Sequence, residues 1–388
     1  MRNNYDAIVV GAGSVGVPTA LFLAEDGLKI LVVDSDISPG QGQNKSAIGG
    51  VRATHSDPAK IFICKESLCI FGEWEKEHGH DIGWKKGGYC FPVYREQEEN
   101  ILKNLLSIQK SYGLKIEWQD SDGIKEIVPG IMPEGLRGGT YSPDDGQVSP
   151  LLAIDAMYRV SKEKGCKYRF CEMVTGIMID HGRVKGIETD RGTYAAPVIV
   201  NAAGAGAKAV GEMSGLEIPV VPDSHEAGIS APMEQFLDPL IVDLRPGSEG
   251  KTANFYFAQN REGPIIFCYT PKKLFPGTNR EPTSEFLPIV ARRMIALLPR
   301  LKNMLVRRVW RGLYPMTPDG LPICDRVREI EGMYLAVGMC GQGFMMGPGI
   351  GRNMANLIVN GKPRIDEKIF GTLSFYRDFY GTGKEALK

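Results

Sequence analysis

Short apolar runs alternate with stretches of helical spacing through the first part of the chain. Residues 7–10 (Ala-Ile-Val-Val) form an apolar run closed by a turn signal, which predicts a buried strand. Gly11-Ala12-Gly13-Ser14-Val15-Gly16 follows, then apolar residues at helical spacing (Ala20, Leu21, Leu23, Ala24) ended by Gly27. A second apolar run, 30–33, closes on Asp34. Further on, the spacing predicts helices over 58–74, 96–112, 123–128, 151–164 and 286–298, and a last helix reaching 359. Strand patterns occupy 84–93, 115–118, 167–170, 172–174, 193–197 and 332–338, with a hairpin of 176–179 and 184–189 around His181-Gly182. The runs 241–244, 254–258 and 265–269 predict a mostly antiparallel sheet in the second half. Residues 35–50, 129–150 and 311–320 read as turn-rich loops.

The opening order of strand, glycine turn, helix, strand and acid is the dinucleotide-binding βαβ pattern. Gly11 allows the tight turn, Gly13 lets a pyrophosphate approach the backbone, and Gly16 lets the helix pack on the strands. The helix N-terminus offers N–H groups and a positive dipole end to phosphates. Asp34 is placed to accept hydrogen bonds from a ribose diol. Two more glycine turns follow apolar strands: Asn201-Ala202-Ala203-Gly204-Ala205-Gly206, and the loop from Gly341 to Gly351. Pro348 in that loop suits the first turn of a helix. Three such turns argue for one extended nucleotide approached at several points. Arg52 follows a run of small residues near the first turn and reads equally as a ligand for an anion or as a solvated loop charge.

Composition narrows the class. The 388 residues carry 46 basic and 46 acidic side chains, so zero net charge gives no support for a nucleic acid partner. Eight cysteines are scattered without a CxxC pair, and five histidines show no ligand spacing, so reduced thiols and no metal are expected. No run approaches the length of a membrane span, and the first strand begins too early for a cleaved leader, which predicts a cytoplasmic protein.

The combination of turns, with WRGLYPMTPDGLPI at 310–323, GQGFMMGPGIG at 341–351 and DDGQVSP at 144–150, resembles the D-amino-acid oxidase superfamily of FAD enzymes. The resemblance covers nearly the whole chain. It is closest in flavour to the β subunits of dye-linked L-proline dehydrogenase and heteromeric sarcosine oxidase. It implies an α/β fold: a Rossmann-like FAD-binding domain of glutathione-reductase type, with an interleaved α+β substrate domain on a mostly antiparallel sheet. The implied division is 1–85, 141–218 and 306–388 for FAD, and 86–140 and 219–305 for substrate.

By the same resemblance, Gly11, Gly13, Ser14, Val15 and Gly16 hold the pyrophosphate, and Asp34 with Ser35 the adenosine ribose. Gly49, Val174, Ala203 and Gly204 lie along the nucleotide, and Gly341, Gln342, Gly343, Phe344, Met345 and Met346 along the flavin. Arg52 matches an arginine that binds substrate carboxylate. Tyr256, Tyr269 and Tyr314 are candidates to orient the substrate, Arg311 is a second carboxylate candidate, and Gln342 is a hydrogen-bonding group for flavin or substrate. Gly312 stands where some relatives link flavin through cysteine, so FAD is expected to be non-covalent. Met345 stands where oxygen-using relatives carry lysine, so a dehydrogenase is expected. The implied reaction is oxidation of an amino acid C–N bond by hydride transfer to flavin N5, then imine hydrolysis, in a chain with a partner subunit and a separate electron acceptor. Competing readings are a peroxide-producing oxidase, an electron-relay flavoprotein subunit, and an NAD-dependent dehydrogenase that fits the first turn alone.

Overall fold

The computed structural model describes residues 4–381. Its first strand, Ala7–Val10, lies at the middle of a six-stranded sheet, between Ile30–Val33 on one side and Ile199–Asn201 on the other. Met333–Val337 pairs beyond Ile199–Asn201, and Lys167–Arg169 beyond Ile30–Val33, all parallel. Only Ile323–Arg326, at the edge, runs antiparallel. The sheet is covered on both faces, which is why its strands are apolar runs and not alternating ones. Ala7 and Val9 pack among helices, whereas Ile8 and Val10 pack with Val174, Ile177 and Ile187 of a three-stranded antiparallel sheet formed by Val174–Asp180, Arg183–Thr189 and Gly192–Ala195.

Register decides where chemistry can occur. Val10 pairs with Asn201, and Asn201 with Leu335. The three parallel strands therefore end at one edge of the sheet, and all three glycine turns leave from that edge. This is the position at which open α/β sheets bind nucleotides.

An eight-stranded sheet forms the second layer. In order its strands are Val306–Met316, Val221–Ser230, Ile265–Pro271, Thr252–Gln259, Leu240–Asp243, Tyr89–Val93, Gly138–Ser142 and Glu117–Gln119. All neighbours are antiparallel except Leu240–Asp243 with Tyr89–Val93. One face packs on the helices Phe286–Leu297 and Ser121–Ile127 through Cys90, Ile241, Phe255, Phe257 and Phe267. The other presents Tyr89, Phe91, Leu240, Val242 and Tyr256.

Three stretches differ from the sequence expectation. Residues 311–316, expected as loop, continue the strand Val306–Met316, which pairs along Val221–Ser230. Pro315 lies opposite Pro222; an edge strand tolerates proline because one side of its ladder has no partner to lose. This strand, expected at the start of a nucleotide-binding segment, is thus hydrogen-bonded into the large sheet. Val221–Ser230 itself carries Asp, Ser, His, Glu and Gly, so no apolar alternation announces it. Within 129–150, Gly138–Ser142 and Gly146–Gln147 are short strands. Their partners, Tyr89–Val93 and Gly50–Val51, lie far away in sequence.

The last long helix, Gly343–Asn360, is wedged between Gly16–Glu25 and Pro58–His78. Its glycines explain how. A Cβ on Gly347 would overlap the Ser14 carbonyl oxygen, and one on Gly349 the Ile63 carbonyl oxygen. On Gly351 a Cβ would come within 2.7 Å of the Pro18–Thr19 peptide. Pro348 lies inside this helix, past the first turn where it was expected. The neighbouring Gly349 N–H donates to Ser67 Oγ at 2.9 Å, tying the helix to Pro58–His78 at that point.

Candidate active site

The sheet edge and the second layer enclose a cavity of about 700 Å³. The first glycine turn forms one part of its wall. Gly11 has φ +108°, and a Cβ there would lie 2.5 Å from Ala202 O, so the first and second turns touch. At Gly16 a Cβ would overlap the Gly11 carbonyl oxygen, so this glycine serves helix-to-strand packing and is not among the lining residues. Gly13 is different. Nothing lies within 4 Å of its absent Cβ, which leaves its backbone open to the cavity together with Ser14 and Val15. At the start of the helix Gly16–Glu25 the Val17 N–H donates to Gly13 O and the Thr19 N–H to Val15 O, and Pro18 has no N–H, so a diphosphate would meet the backbone of the turn just ahead of them at the positive end of the helix.

Asp34 holds this turn in place. One carboxylate oxygen accepts the Ala12 N–H at 2.6 Å and the other the Asp36 N–H at 2.8 Å. Burial raises its carboxyl above the ordinary value, against the pull of those N–H groups. The aspartate is half-buried and lines the cavity, so it can still receive a ribose hydroxyl. Ser35, Gly49, Val174, Ala203 and Gly204 line the same cavity. Gln43 and Asn44, in the loop 35–50, join them without having been expected from the sequence. Gln43 Oε1 accepts the Ala205 N–H at 3.3 Å, and Asn44 Nδ2 donates to Pro150 O at 2.9 Å. Both residues line the cavity, and their only signal was a polar run with a function no periodicity can reveal.

The third turn begins at a strained residue. Cys340 has φ +50°, unusual for a residue with a Cβ, and its thiol donates to Gly338 O at 3.0 Å. Gly341 follows with φ +83°, and a Cβ there would overlap the Tyr314 ring. Gln342, Gly343, Phe344 and Met345 continue along the cavity. Met346 does not. It is fully buried in the core among the helices, because one step along a helix turns the side chain away from the cavity.

Arg52 is buried, at 7% exposure, so it is not the solvated loop charge. The ladder of Gly50–Val51 with Gly146–Gln147 carries it to the cavity wall. Its guanidinium donates to Thr54 O and lies 5.8 Å from the centroid of Phe91. The Asp144-Asp145-Gly146 turn does more than reverse the chain. Buried Asp145 accepts the Ala53 N–H at 2.9 Å and the Thr54 hydroxyl at 3.2 Å. Burial pushes the Asp145 carboxyl up to about 6, against the opposing effects of Ala53, Ser142, Arg52 and Thr54.

Tyr256 and Tyr314 meet across the cavity-facing side of the large sheet, their hydroxyls 3.2 Å apart. Burial raises both phenols, so at neutral pH they are uncharged donors. Tyr314 stacks on His225, with centroids 3.9 Å apart and planes at 26°. His225, missed in the sequence, lies with Nε2 3.3 Å from Asp223 Oδ2 and lines the cavity. Burial raises the Asp223 carboxyl, but the His225 and Phe275 hydrogen bonds more than offset this and leave it lowered. Tyr269 and Arg311 are placed elsewhere. Tyr269 pairs with Phe255, one residue out of phase with the Tyr256–Cys268 pair, so strand alternation turns it to the opposite face against Phe286. Arg311 lies over Phe275 and donates to Glu281 O, outside the cavity lining.

The residues present fit FAD. The cavity volume is that of a cofactor site. Gly13 leaves its approach open, and Gln342 presents a buried Oε1 with no hydrogen-bond partner among the described residues. Gly312, opposite Ser46, offers no thiol for a covalent link. Among the described residues no group of His, Cys, Asp and Glu is placed to hold a metal, and the eight cysteines are free thiols. No described helix is long and apolar enough to cross a membrane.

Comparison with known proteins agrees with this geometry. The crystal structure of L-proline dehydrogenase from P. horikoshii superposes with a TM-score of 0.90 at 30% identity, covering 97% of this chain and 98% of that one. Sarcosine oxidase subunit beta of Rhizobium meliloti is 26% identical over 387 residues, 97% of this chain and 90% of the relative. Mitochondrial sarcosine dehydrogenase of Homo sapiens is 26% identical over 375 residues, 93% of this chain but 40% of the relative. The chain thus spans about two-fifths of that longer protein. The family model described as FAD dependent oxidoreductase matches residues 6–357, from the first strand into the last long helix. Because that match takes in all three turns around one cavity, the chain belongs to the DAO family of FAD dependent oxidoreductases, and FAD is its cofactor.

Proposed function

We propose that this protein oxidises the C–N bond of an amino acid, a secondary one such as proline, sarcosine or hydroxyproline. The observation that carries the reading is buried Arg52 on the wall of the cavity that the Gly341–Met345 loop also lines. Bound FAD, held non-covalently, supplies the two-electron acceptor for the hydride leaving carbon. The rest is work for this chain. Arg52 pairs with the substrate carboxylate, and the Asp145 turn fixes the segment that carries it. Tyr256 and Tyr314, as neutral phenols, orient the amine side. Gln342 Oε1 accepts a hydrogen bond from FAD or substrate. The imine product is released to water and hydrolyses.

The same reading assigns the six-stranded layer to FAD and the eight-stranded layer to substrate, with Val306–Met316 counted in the latter. Met345 in place of a lysine supports a dehydrogenase that passes electrons to a separate acceptor. Likeness to a protein named as a β subunit supports a partner subunit. The test is Arg52→Ala. Loss of its charged hydrogen bonds predicts about 3 kcal/mol weaker substrate binding, roughly a hundredfold, with flavin content unchanged. Unchanged affinity for a carboxylate-bearing substrate removes Arg52 from its role.

A further inference from the structure

The cavity has two chemically different walls. Tyr314, His225, Gln342 and the hydroxyl of Tyr256 make the polar one. The other belongs to a single hydrophobic cluster of the large sheet: Tyr89, Phe91, Leu240 and Val242, with Ile48, Leu244 and Tyr256 packed against it. Every one of those seven side chains also lines the cavity. The cluster is therefore closed toward the sheet and open toward the site.

This apolar wall meets the carboxylate anchor directly. The Phe91 ring centroid is 5.8 Å from the Arg52 guanidinium carbon. Gly50, two residues before Arg52, leaves the space that Leu240 and Tyr89 fill. A Cβ there would lie 2.7 Å from Leu240 Cδ1 and would overlap the Tyr89 hydroxyl oxygen. Leu240 and Phe91 are 1% and 2% exposed, so they are fixed by packing and not free to swing away. A carboxylate held at Arg52 places its α-carbon and what that carbon bears against hydrocarbon. Against Phe91, Leu240 and Val242 a charged or hydroxylated substituent would lose its water, the Tyr89 and Tyr256 hydroxyls being the polar groups of this wall.

Resting on the amino acid reading above, we infer that Phe91, Leu240 and Val242 form a subsite for the hydrocarbon part of the substrate. The protein selects amino acids with an apolar carbon skeleton joined to the α-carbon, a pyrrolidine or larger ring above all. It discriminates against glycine, sarcosine and ring-hydroxylated analogues.

The experiment is anaerobic reduction of the bound flavin by proline, pipecolate, hydroxyproline, sarcosine and glycine, read as kcat/KM. Each methylene in a fitted apolar site is worth about tenfold or more, so proline is expected to exceed sarcosine by about a hundredfold and hydroxyproline by about tenfold or more. Equilibrium titration of the flavin spectrum adds a readout without turnover. Tetrahydrofuran-2-carboxylate is expected to bind about tenfold or more tighter than methoxyacetate, which lacks the ring. Leu240→Asn is expected to lower the proline-to-sarcosine ratio about tenfold, whereas volume-conserving Leu240→Met keeps it. Equal efficiency for sarcosine and proline, or a ratio untouched by Leu240→Asn at full flavin content, overturns the subsite alone. No reduction by any amino acid, with dithionite still bleaching the flavin, overturns the functional reading and the subsite with it.

Discussion

Asp145 shows how one buried carboxylate sets both the geometry and the pH response of this site. Its oxygens bind Ala53 and Thr54, the residues that follow Arg52. Its carboxyl stands at about 6 in the folded protein against an ordinary 3.8. Between those values the folded state holds more protons than the unfolded one, so this group's contribution to stability falls as pH rises from about 4 to about 6 and is flat above. At about 1.4 kcal/mol per unit, the total is ~3 kcal/mol. Chemical denaturation across that window checks it: Asp145→Asn is expected to flatten the wild-type decline. Gln342 makes a second case. Its buried Oε1 lacks a partner among the described residues, so Gln342→Ala is expected to weaken FAD by about tenfold, read by flavin titration.

The last long helix separates two uses of glycine that a sequence cannot tell apart. Gly341 and Gly343 line the cavity, whereas Gly347, Gly349 and Gly351 let the helix touch three neighbouring backbones. Gly13→Ala and Gly347→Ala test this as a pair. Alanine at 13 meets open space, so thermal stability without FAD is expected to hold while FAD affinity drops. Alanine at 347 collides with the Ser14 carbonyl, so the variant is expected to lose about 1–3 kcal/mol or more, seen as a lower Tm. Equal stability of the two variants contradicts the distinction. The first βαβ unit, the turn after Ile199–Asn201 and the strand before Gly341 were legible because local apolar runs and glycines suffice to mark them. Val221–Ser230 and the strand form of 311–316 were not. Their side chains are polar, and their pairing comes from distant partners. For the same reason Tyr256 and Tyr314 could be proposed, while Tyr269 looked equivalent until the sheet register placed it on the other face.

At the scale of the whole molecule, two sheets share one cavity, and the proposed function assigns FAD to the six-stranded side and substrate to the eight-stranded side. The glycine-turn reading could equally have served NAD. The three turns leaving one sheet edge, and the family match across residues 6–357, resolve that ambiguity. If Met345 stands in place of a lysine that serves oxygen activation, as the sequence resemblance implies, an artificial dye is expected to accept electrons far faster than oxygen, measured as dye reduction against peroxide formation. Comparable peroxide production makes the protein an oxidase. The most direct test of the central claim is anaerobic bleaching of the bound flavin by amino acids. The account predicts that a secondary amino acid reduces the flavin completely, and that Arg52→Ala requires roughly a hundredfold more of it. A flavin bleached by dithionite but by no amino acid would contradict it.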